Sequence, residues 1–178
     1  LDTLAVSSIE SFDLRTYMTE QTKVSVKAMI EEMYGGAGGA VQEQADAIFG
    51  SIATLQKVRQ AVPAPGAQAG YPDSDFGRNL AEVARLAKAG VGMEVACVDL
   101  EGWDMHKALG SAANAQDDFS KRSRDFAAAL AAFRRDLGDR WADTTIVTMS
   151  EFGRRVGENG SGGLDHGQGN TMFVAGGG

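Results

Sequence analysis

A chain of 178 residues with 43% hydrophobic content has the length of one ordinary domain and enough apolar side chains to bury a core, which excludes a disordered protein. Its 17 Lys and Arg stand against 24 Asp and Glu, a formal net charge of -7, and no basic stripe interleaved with aromatic residues occurs, which argues against nucleic acid as a partner. No stretch approaches the roughly 20 apolar residues that a membrane-spanning helix needs.

The first part of the chain, residues 1–70, is predicted to be a helical segment, either an insertion or a connecting part. Apolar side chains recur there at spacings of three and four, as on a helix that packs along one face. The more regular stripe consists of Val41, Ala45, Ile48, Phe49, Ile52, Leu55, Val58 and Val62. A looser stripe before it consists of Tyr17, Met18, Val24, Met29, Ile30 and Met33. Glycines at 35–39 separate the two stripes.

The second part, residues 71–178, alternates between helix and strand. A helix begins near Asp75 and ends at Gly90, and the β-rich run 93–100 follows. A long amphipathic helix at 119–137 then leads to a second strand at 144–149 and a third at 171–175. A crossover helix between two strands is typical of a parallel sheet. We therefore predict an α/β fold with a mainly parallel sheet, preceded by the helical segment.

Two stretches of the second part carry further expectations. Cys97 lies in the apolar run 95–98, which indicates a small buried thiol, and a lone cysteine excludes a disulfide within the chain. The segment 157–169 is too rich in glycine for regular structure and is expected to be a mobile loop. Within it, Asn159-Gly160-Ser161 matches a glycosylation sequon only by a short pattern.

The first candidate site follows the run 93–100. Asp104 and His106 lie two residues apart, and in extended backbone such side chains point the same way, so both could reach one metal ion. The alternative is a surface loop in which His106 hydrogen-bonds its neighbouring carboxylate. The spacing alone leaves both interpretations open.

The second candidate site follows the strand at 144–149. Glu151 could bind a metal ion there, and Arg154 could hold an anionic substrate with its planar guanidinium. The alternative is a salt bridge on a surface loop. Ser150 could serve as a nucleophile, although no histidine is its neighbour in sequence.

The third candidate site precedes the last strand, where glycines flank Asp165 and His166. Asp165 could bind a metal ion directly or orient the imidazole of His166. The chain has only two histidines, and each lies beside an aspartate at a predicted strand end. Because ligands bind beyond the carboxyl ends of strands in such sheets, we expect both histidines to serve one metal site.

Several blocks of this sequence resemble the domain-of-unknown-function 1501 family (DUF1501). The blocks are Gly102-Trp103-Asp104-Met105-His106, Phe133-Arg134-Arg135-Asp136-Leu137, Val147-Thr148-Met149-Ser150-Glu151-Phe152-Gly153-Arg154, Asp165-His166-Gly167 and Met172-Phe173-Val174-Ala175-Gly176-Gly177. The Ser-Glu-Phe-Gly-Arg and Asp-His-Gly blocks are the most specific. The resemblance is close from about Tyr71 onward and looser before it.

The resemblance implies that the family is a branch of the alkaline phosphatase and sulfatase superfamily. This chain would then be the C-terminal half of the three-layer fold of that superfamily. The chain starts without Met and its last strand runs into glycines, which also leads us to expect a fragment truncated at both ends. The nucleophile and a further metal-binding Asp would lie in the missing half, so the fragment alone is expected to be inactive. Glu151 followed by Phe152 departs from the Asp-His pair of better-known members, which puts a second metal in doubt.

By this resemblance, metal would be ligated by Asp104, His106 and His166, with Glu151 and Asp165 completing or supporting the ligand set. The implied function is a metal-dependent hydrolase of phosphate or sulfate esters, with a small anionic ester as substrate. Arg154 and Glu151 would be its catalytic residues, and Arg154 would offset the charge of the transferred group. The alternative is an inactive exported binding or structural protein. Such ligands suit Zn, Mn or Fe, and a carboxylate-rich variant suits Ca or Mg. A bacterial origin and a twin-arginine signal, hence a periplasmic or secreted location, are implied as well.

Overall fold

The computed structural model describes residues 5–6, 8–12, 19–36, 38–64 and 69–177. These residues divide into two compact units, with the division after Ala64. None of the described helices combines the length and the apolar character that crossing a membrane requires. Each unit is considered separately below.

The first unit is built on two helices, α1 (Glu20–Gly35) and α2 (Gly39–Ala61), as the two apolar stripes predicted. The hydroxyl of Thr19 caps α1 by accepting a hydrogen bond from the backbone N–H of Thr22 at 3.3 Å. The regular stripe supplies the buried side chains of α2, which are Ile52, Leu55 and Val58. Other stripe residues are exposed, among them Val24, Met29, Met33, Val41 and Ile48. Tyr17 and Met18 lie outside the described residues.

The second unit is built around helices α3 (Asp75–Ala89) and α4 (Asp118–Leu137), which confirms both predicted helices. Ser74 caps α3 by accepting from the N–H of Gly77 at 3.1 Å, and Gly90 ends it in the left-handed conformation with φ 63°. The two helices pack through one apolar cluster, whose buried members are Phe76, Leu80, Ala84, Ala129, Phe133 and Leu137. Their spacing of three and four residues brings them to the facing sides of the helices.

The strands of the second unit are short and form two antiparallel pairs. A 3-10 helix at Gly138–Asp143 leads into β1 (Thr145–Val147), which pairs with β4 (Val174–Gly176). Between them, β2 (Gly153–Arg154) pairs with β3 (His166–Gly167). The expected mixture of helices and strands is therefore present, but the strand pairs of the described residues are antiparallel, not parallel. The chain between β1 and β4 contains no helix that could carry it across a sheet, so it returns in the opposite direction.

The run 93–100 forms no strand among the described residues, contrary to expectation. A strand exists only where a neighbouring backbone completes the hydrogen-bond ladder, and none of the described strands pairs with this run. Val98 and Leu100 still pack against the α3–α4 cluster. Val95 is 79% exposed and Cys97 is also exposed, so the prediction of a buried thiol was wrong. Apolar neighbours in sequence do not bury a side chain by themselves. Among the described residues, no helix or strand packs on the face of the run 93–100 that carries Val95 and Cys97.

Candidate metal centre

The loop that carries Asp104 and His106 is anchored on α4. Arg122 donates a hydrogen bond to the carbonyl of Glu101 at 2.8 Å, which fixes the start of the loop. Trp103 then packs edge-on against Phe119, with ring centroids 6.2 Å apart. Edge-to-face aromatic pairs are favourable, so this contact stabilises the position of the Trp103 ring. The side chains of the loop are thus presented from a fixed base.

The glycine-rich segment between β2 and β3 runs alongside this loop. Three backbone hydrogen bonds join them, from Leu164 to Met105 at 3.0 Å, from Ala108 to Ser161 at 3.1 Å and from Leu109 to Gly162 at 2.8 Å. A Cβ at position 163 would overlap the backbone of residues 106–107, so only glycine permits this approach. The segment expected to be a mobile loop is therefore hydrogen-bonded to the first candidate site.

The pairing of β2 with β3 brings the second and third candidate sites together. Arg154 lies directly opposite His166 in the ladder, and opposite residues of an antiparallel pair share one face. Phe152, two residues before Arg154, stacks on the His166 ring at 4.2 Å with an interplanar angle of 11°. A Cβ at Gly153 would collide with the carbonyl of Gly167, so the pair needs glycine at that position as well.

Asp104, His106 and His166 form the group whose ligand atoms all lie within 4.8 Å of one another. The Oδ1 atom of Asp104 is 3.0 Å from Nε2 of His106 and 2.8 Å from Nε2 of His166. The two imidazole rings are 4.8 Å apart between centroids. Both histidines thus meet at one aspartate, as expected for a shared site, and all three side chains are exposed to solvent.

Asp165 contacts the histidine of the other loop. Its Oδ1 atom lies 3.2 Å from Nδ1 of His106, whereas the sequence suggested either direct metal binding or a contact with its neighbour His166. The hydrogen bonds from Asn159 and then from His106 hold the pKa of Asp165 below its ordinary value, helped by the charge of Arg155. Asp165 therefore remains a carboxylate, which accepts a hydrogen bond from His106 when Nδ1 carries the ring hydrogen.

Both ring nitrogens of His106 face carboxylate oxygens. A neutral imidazole carries one hydrogen, so it can donate to only one of the two carboxylates, and the other contact would join two acceptors. The conflict is removed when the second ring nitrogen, Nε2, also carries a proton or binds a metal ion. The Nδ1 contact with Asp165 matches the carboxylate–histidine arrangement that orients metal ligands in proteins.

Arg154 connects the loops instead of pointing into open solvent. Its guanidinium donates to the carbonyl of Leu164, to the carbonyl of Trp103 at 2.8 Å and to Oδ1 of Asp104 at 2.9 Å. Its guanidinium carbon also lies 4.7 Å from the centroid of the Phe152 ring. The hydrogen bond from His166, followed by that from Arg154, holds the pKa of Asp104 below its ordinary value. Asp104 is thereby kept as an anion at the centre of the group.

Glu151 and Ser150 lie outside this group among the described residues. Glu151 is exposed in the turn before β2. The Ser150 hydroxyl donates to the carbonyl of Phe152 at 2.6 Å, which closes the same turn. The structure therefore unites Asp104, His106, Asp165, His166 and Arg154, and leaves Glu151 at the periphery.

Asn159, which the sequence singled out only as part of a short sequon match, is a contact residue of this site. Its amide nitrogen donates to the carbonyl of His106 and to Oδ1 of Asp165, each at 2.9 Å. Its amide oxygen accepts from the backbone N–H groups of Ser161 at 2.9 Å and Gly163 at 3.1 Å. The Asn-Gly pair that begins the loop was a usable signal, because asparagine side chains often hydrogen-bond the backbone two residues on.

The donor set fits a transition-metal ion. In a tetrahedral zinc site with bonds of about 2.0–2.1 Å, neighbouring ligand atoms lie about 3.3 Å apart. The two contacts of Asp104, at 3.0 and 2.8 Å, are close to that separation. The ligand atoms of the whole group lie within 4.8 Å of one another, so the exposed side chains would need to adjust around an ion. Two imidazole nitrogens and one carboxylate suit Zn, Mn or Fe better than Ca or Mg, which prefer oxygen ligands.

The fold and the site define a helix-rich protein with short antiparallel strands and a candidate metal centre of two histidines and one aspartate. The chain belongs to the family described as protein of unknown function (DUF1501), whose family model matches residues 6–178. The resemblance that the sequence blocks carry is thereby confirmed. Comparisons with the curated proteins and with the solved structures found no match.

Proposed function

We propose that this protein binds one divalent metal ion through Asp104, His106 and His166 and acts in the hydrolysis of phosphate or sulfate esters. The observation that carries the proposal is the environment of His106, whose two ring nitrogens lie 3.0 and 3.2 Å from carboxylate oxygens. A neutral imidazole can donate to only one of these two oxygens, so the ring needs a second proton or a metal ion to satisfy the other. A metal ion on Nε2, with Asp165 accepting from Nδ1, satisfies both.

The residues of the proposed centre have different roles. The ion, when bound, supplies Lewis-acid polarisation of an ester oxygen. Asp104 offsets part of its charge, and Asp165 holds the ring of His106 in the orientation that directs Nε2 to the ion. Arg154 keeps Asp104 in place and adds positive charge beside a small anionic ester. Glu151, on the exposed turn before β2, has the weaker support as a ligand or base, since no contact joins it to the group.

A second candidate is an exported binding or structural protein that keeps a metal ion and does not catalyse. The guanidinium of Arg154 already donates to three acceptors within the protein, which limits its capacity to grip a substrate. The Ser150 hydroxyl is also engaged, with the carbonyl of Phe152. These contacts favour a stable metal site over an open catalytic one.

The finer architecture and the location belong to the same proposal. We propose that residues 71–178 form the C-terminal α/β part of an alkaline-phosphatase-like domain and that residues 1–70 are an inserted or connecting helical segment. A parallel sheet would then need strands from elsewhere, and the unpaired run 93–100 supports this. The resemblance favours a periplasmic or secreted location.

Metal analysis and turnover on the same preparations separate the two candidates. The protein would be purified without chelators and its Zn, Mn and Fe content measured beside that of Asp104→Asn, His106→Ala and His166→Ala. Asp139→Asn, an exposed carboxylate in the 3-10 helix, is the matched control. All preparations would then be assayed with nitrophenyl phosphate and nitrophenyl sulfate.

One equivalent of metal in the wild type and the control, with much less in the three site variants, is the expected result. Turnover that disappears with either histidine supports the hydrolase. Stoichiometric metal without histidine-dependent turnover, in this chain and in a longer form of the protein, would select the binding protein. Absence of metal from the wild type at micromolar concentrations of all three ions would overturn the metal centre itself.

A further inference from the structure

We propose that Asn159 is a positioning residue for the metal centre, holding Asp165 and the backbone of His106 so that Nε2 of His106 faces the ion. The inference rests on the proposed function, because it assigns a task to a residue that would itself touch neither metal nor substrate. Asn159 is partly buried, and its side chain reaches both loops that form the centre.

The hydrogen bonds of Asn159 fill the capacity of its amide group. The amide nitrogen has two hydrogens, and the two contacts at 2.9 Å take one each, to the carbonyl of His106 and to Oδ1 of Asp165. The amide oxygen has two lone pairs, and Ser161 and Gly163 donate to them. No other residue type offers two donors and two acceptors at this length, so the position is specific for asparagine.

The effect on His106 passes through two contacts. Asn159 fixes the backbone of His106 directly, and it fixes Asp165 Oδ1, the atom that lies 3.2 Å from Nδ1 of His106. The imidazole of His106 is therefore positioned through its backbone and through its Nδ1 atom. The remaining nitrogen, Nε2, then points to Asp104 at 3.0 Å. Partners of this kind keep a histidine ligand in one tautomer and one orientation.

The decisive substitution is Asn159→Asp, which has the same shape and keeps the two acceptor contacts while it replaces both donors by a carboxylate oxygen that repels Asp165 and the His106 carbonyl. Asn159→Ala removes all four contacts. Asn114→Ala is the matched control, because Asn114 also donates to an aspartate and accepts from a backbone N–H, but in the turn before α4. Zinc affinity would be measured by chelator competition, and the ring nitrogens of His106 by ¹⁵N NMR with and without zinc. The two histidines are assigned with His106→Ala and His166→Ala.

We expect Asn159→Asp to weaken zinc binding by about 10- to 100-fold, the usual effect of losing a supporting contact, and Asn114→Ala to leave it unchanged. In the zinc-loaded wild type, His106 should show a protonated Nδ1 and a metal-bound Nε2, and this signature should be lost or averaged in Asn159→Asp. A residue that only stabilises the loop would change the unfolding midpoint and leave the ring signature as it is.

Unchanged affinity and unchanged ring shifts in folded Asn159→Asp would overturn the assignment. If Asn159→Ala does not fold, the isosteric aspartate variant alone decides. If the wild type binds no zinc, manganese or iron, the proposed function fails, and the ring shifts of the metal-free proteins still test Asn159. Identical shifts in the metal-free wild type and Asn159→Asp would then reject its positioning role.

Discussion

His106 Nδ1 lies 3.2 Å from Oδ1 of Asp165, a carboxylate 59 residues further along the chain and adjacent in sequence to the other histidine. Asp104, the sequence neighbour of His106, meanwhile contacts both histidines. The two aspartates therefore have different tasks. In the proposed metal site Asp104 would face the ion, whereas Asp165 would support His106 from the opposite side of its ring.

This difference predicts unequal effects of removing the two carboxylates. Asp165→Asn should weaken metal binding by about 10- to 100-fold, because His106 keeps its place but loses its orienting partner. Asp104→Asn should weaken it further, because a ligand and its charge are both lost. Titration calorimetry with zinc measures both effects, with Asp139→Asn as the reference. Equal affinities of the two variants would contradict the assignment of tasks.

Arg154 should be important for stability as well as for the site. Arg154→Ala leaves the carbonyl of Leu164 without its donor, whereas the carbonyl of Trp103 keeps the N–H of Met105, and a partly buried group left unpaired costs about 1–3 kcal/mol. Lysine cannot span three acceptors, so Arg154→Lys should restore little of the loss. Urea unfolding followed by tryptophan fluorescence reports the unit, since both tryptophans lie in it.

The exposed neighbour Arg155 provides the control for this experiment. Arg155→Ala should change the free energy of unfolding by no more than about 0.5 kcal/mol, as surface substitutions usually do. A lysine variant as stable as the wild type would show that the charge of Arg154 matters and its forked geometry does not.

Gly163→Ala should disrupt the contact between the two loops. The added methyl group would overlap the backbone of residues 106–107, which cannot move without shifting His106. We expect destabilisation of about 1–3 kcal/mol together with weaker metal binding. Gly160→Ala, where a Cβ meets nothing within 4 Å, is the matched control and should retain wild-type affinity. Thermal unfolding and zinc titration of both variants test this expectation.

Stability at alkaline pH should depend on Tyr71. Burial, followed by the charge of Asp136, raises the pKa of Tyr71 well above its ordinary value, and its hydroxyl donates to Asp136 at 3.1 Å. A raised pKa means that the folded state keeps the proton longer than the unfolded state. The resulting stability is complete below the ordinary tyrosine value of about 10 and decreases as the pH rises above it.

Urea unfolding at several pH values from about 8 to about 11 measures this dependence. Tyr71→Phe should remove the part that tyrosine ionisation causes, whereas the control Tyr34→Phe should keep the wild-type slope. The partner Asp136 also pairs with Lys88 at 2.7 Å, a contact that the Tyr71 variant does not remove. A Tyr71→Phe protein with the same alkaline loss of stability would show that another group is responsible.

The helices and the candidate site residues could be named from the sequence because both depend on local patterns. Spacings of three and four located α2, α3 and α4, and Ser74 and Gly90 marked the ends of α3. The coincidence of two histidines, each beside an aspartate, indicated one shared site. Arg154 belongs to the Ser-Glu-Phe-Gly-Arg block and His166 to the Asp-His-Gly block, and these two residues lie opposite each other in one strand pair.

The strands and the detailed contacts were not accessible, because they depend on which distant segments meet. A strand such as 93–100 is apolar and β-rich in sequence, yet it pairs only if a neighbouring backbone is present. Likewise, the exposure of Cys97 follows from the absence of a covering layer among the described residues, and no local pattern reports that.

The sequence by itself determined that this protein has helices with apolar stripes, that it belongs to its family, and that Asp104, His106, Asp165 and His166 are the residues of interest. Only the tertiary structure decided that Asp165 pairs with His106, that Arg154 clamps the loops, and that Asn159 holds them together. Helical periodicity is a property of adjacent residues, whereas these contacts span 6 to 59 residues and arise only when the chain folds.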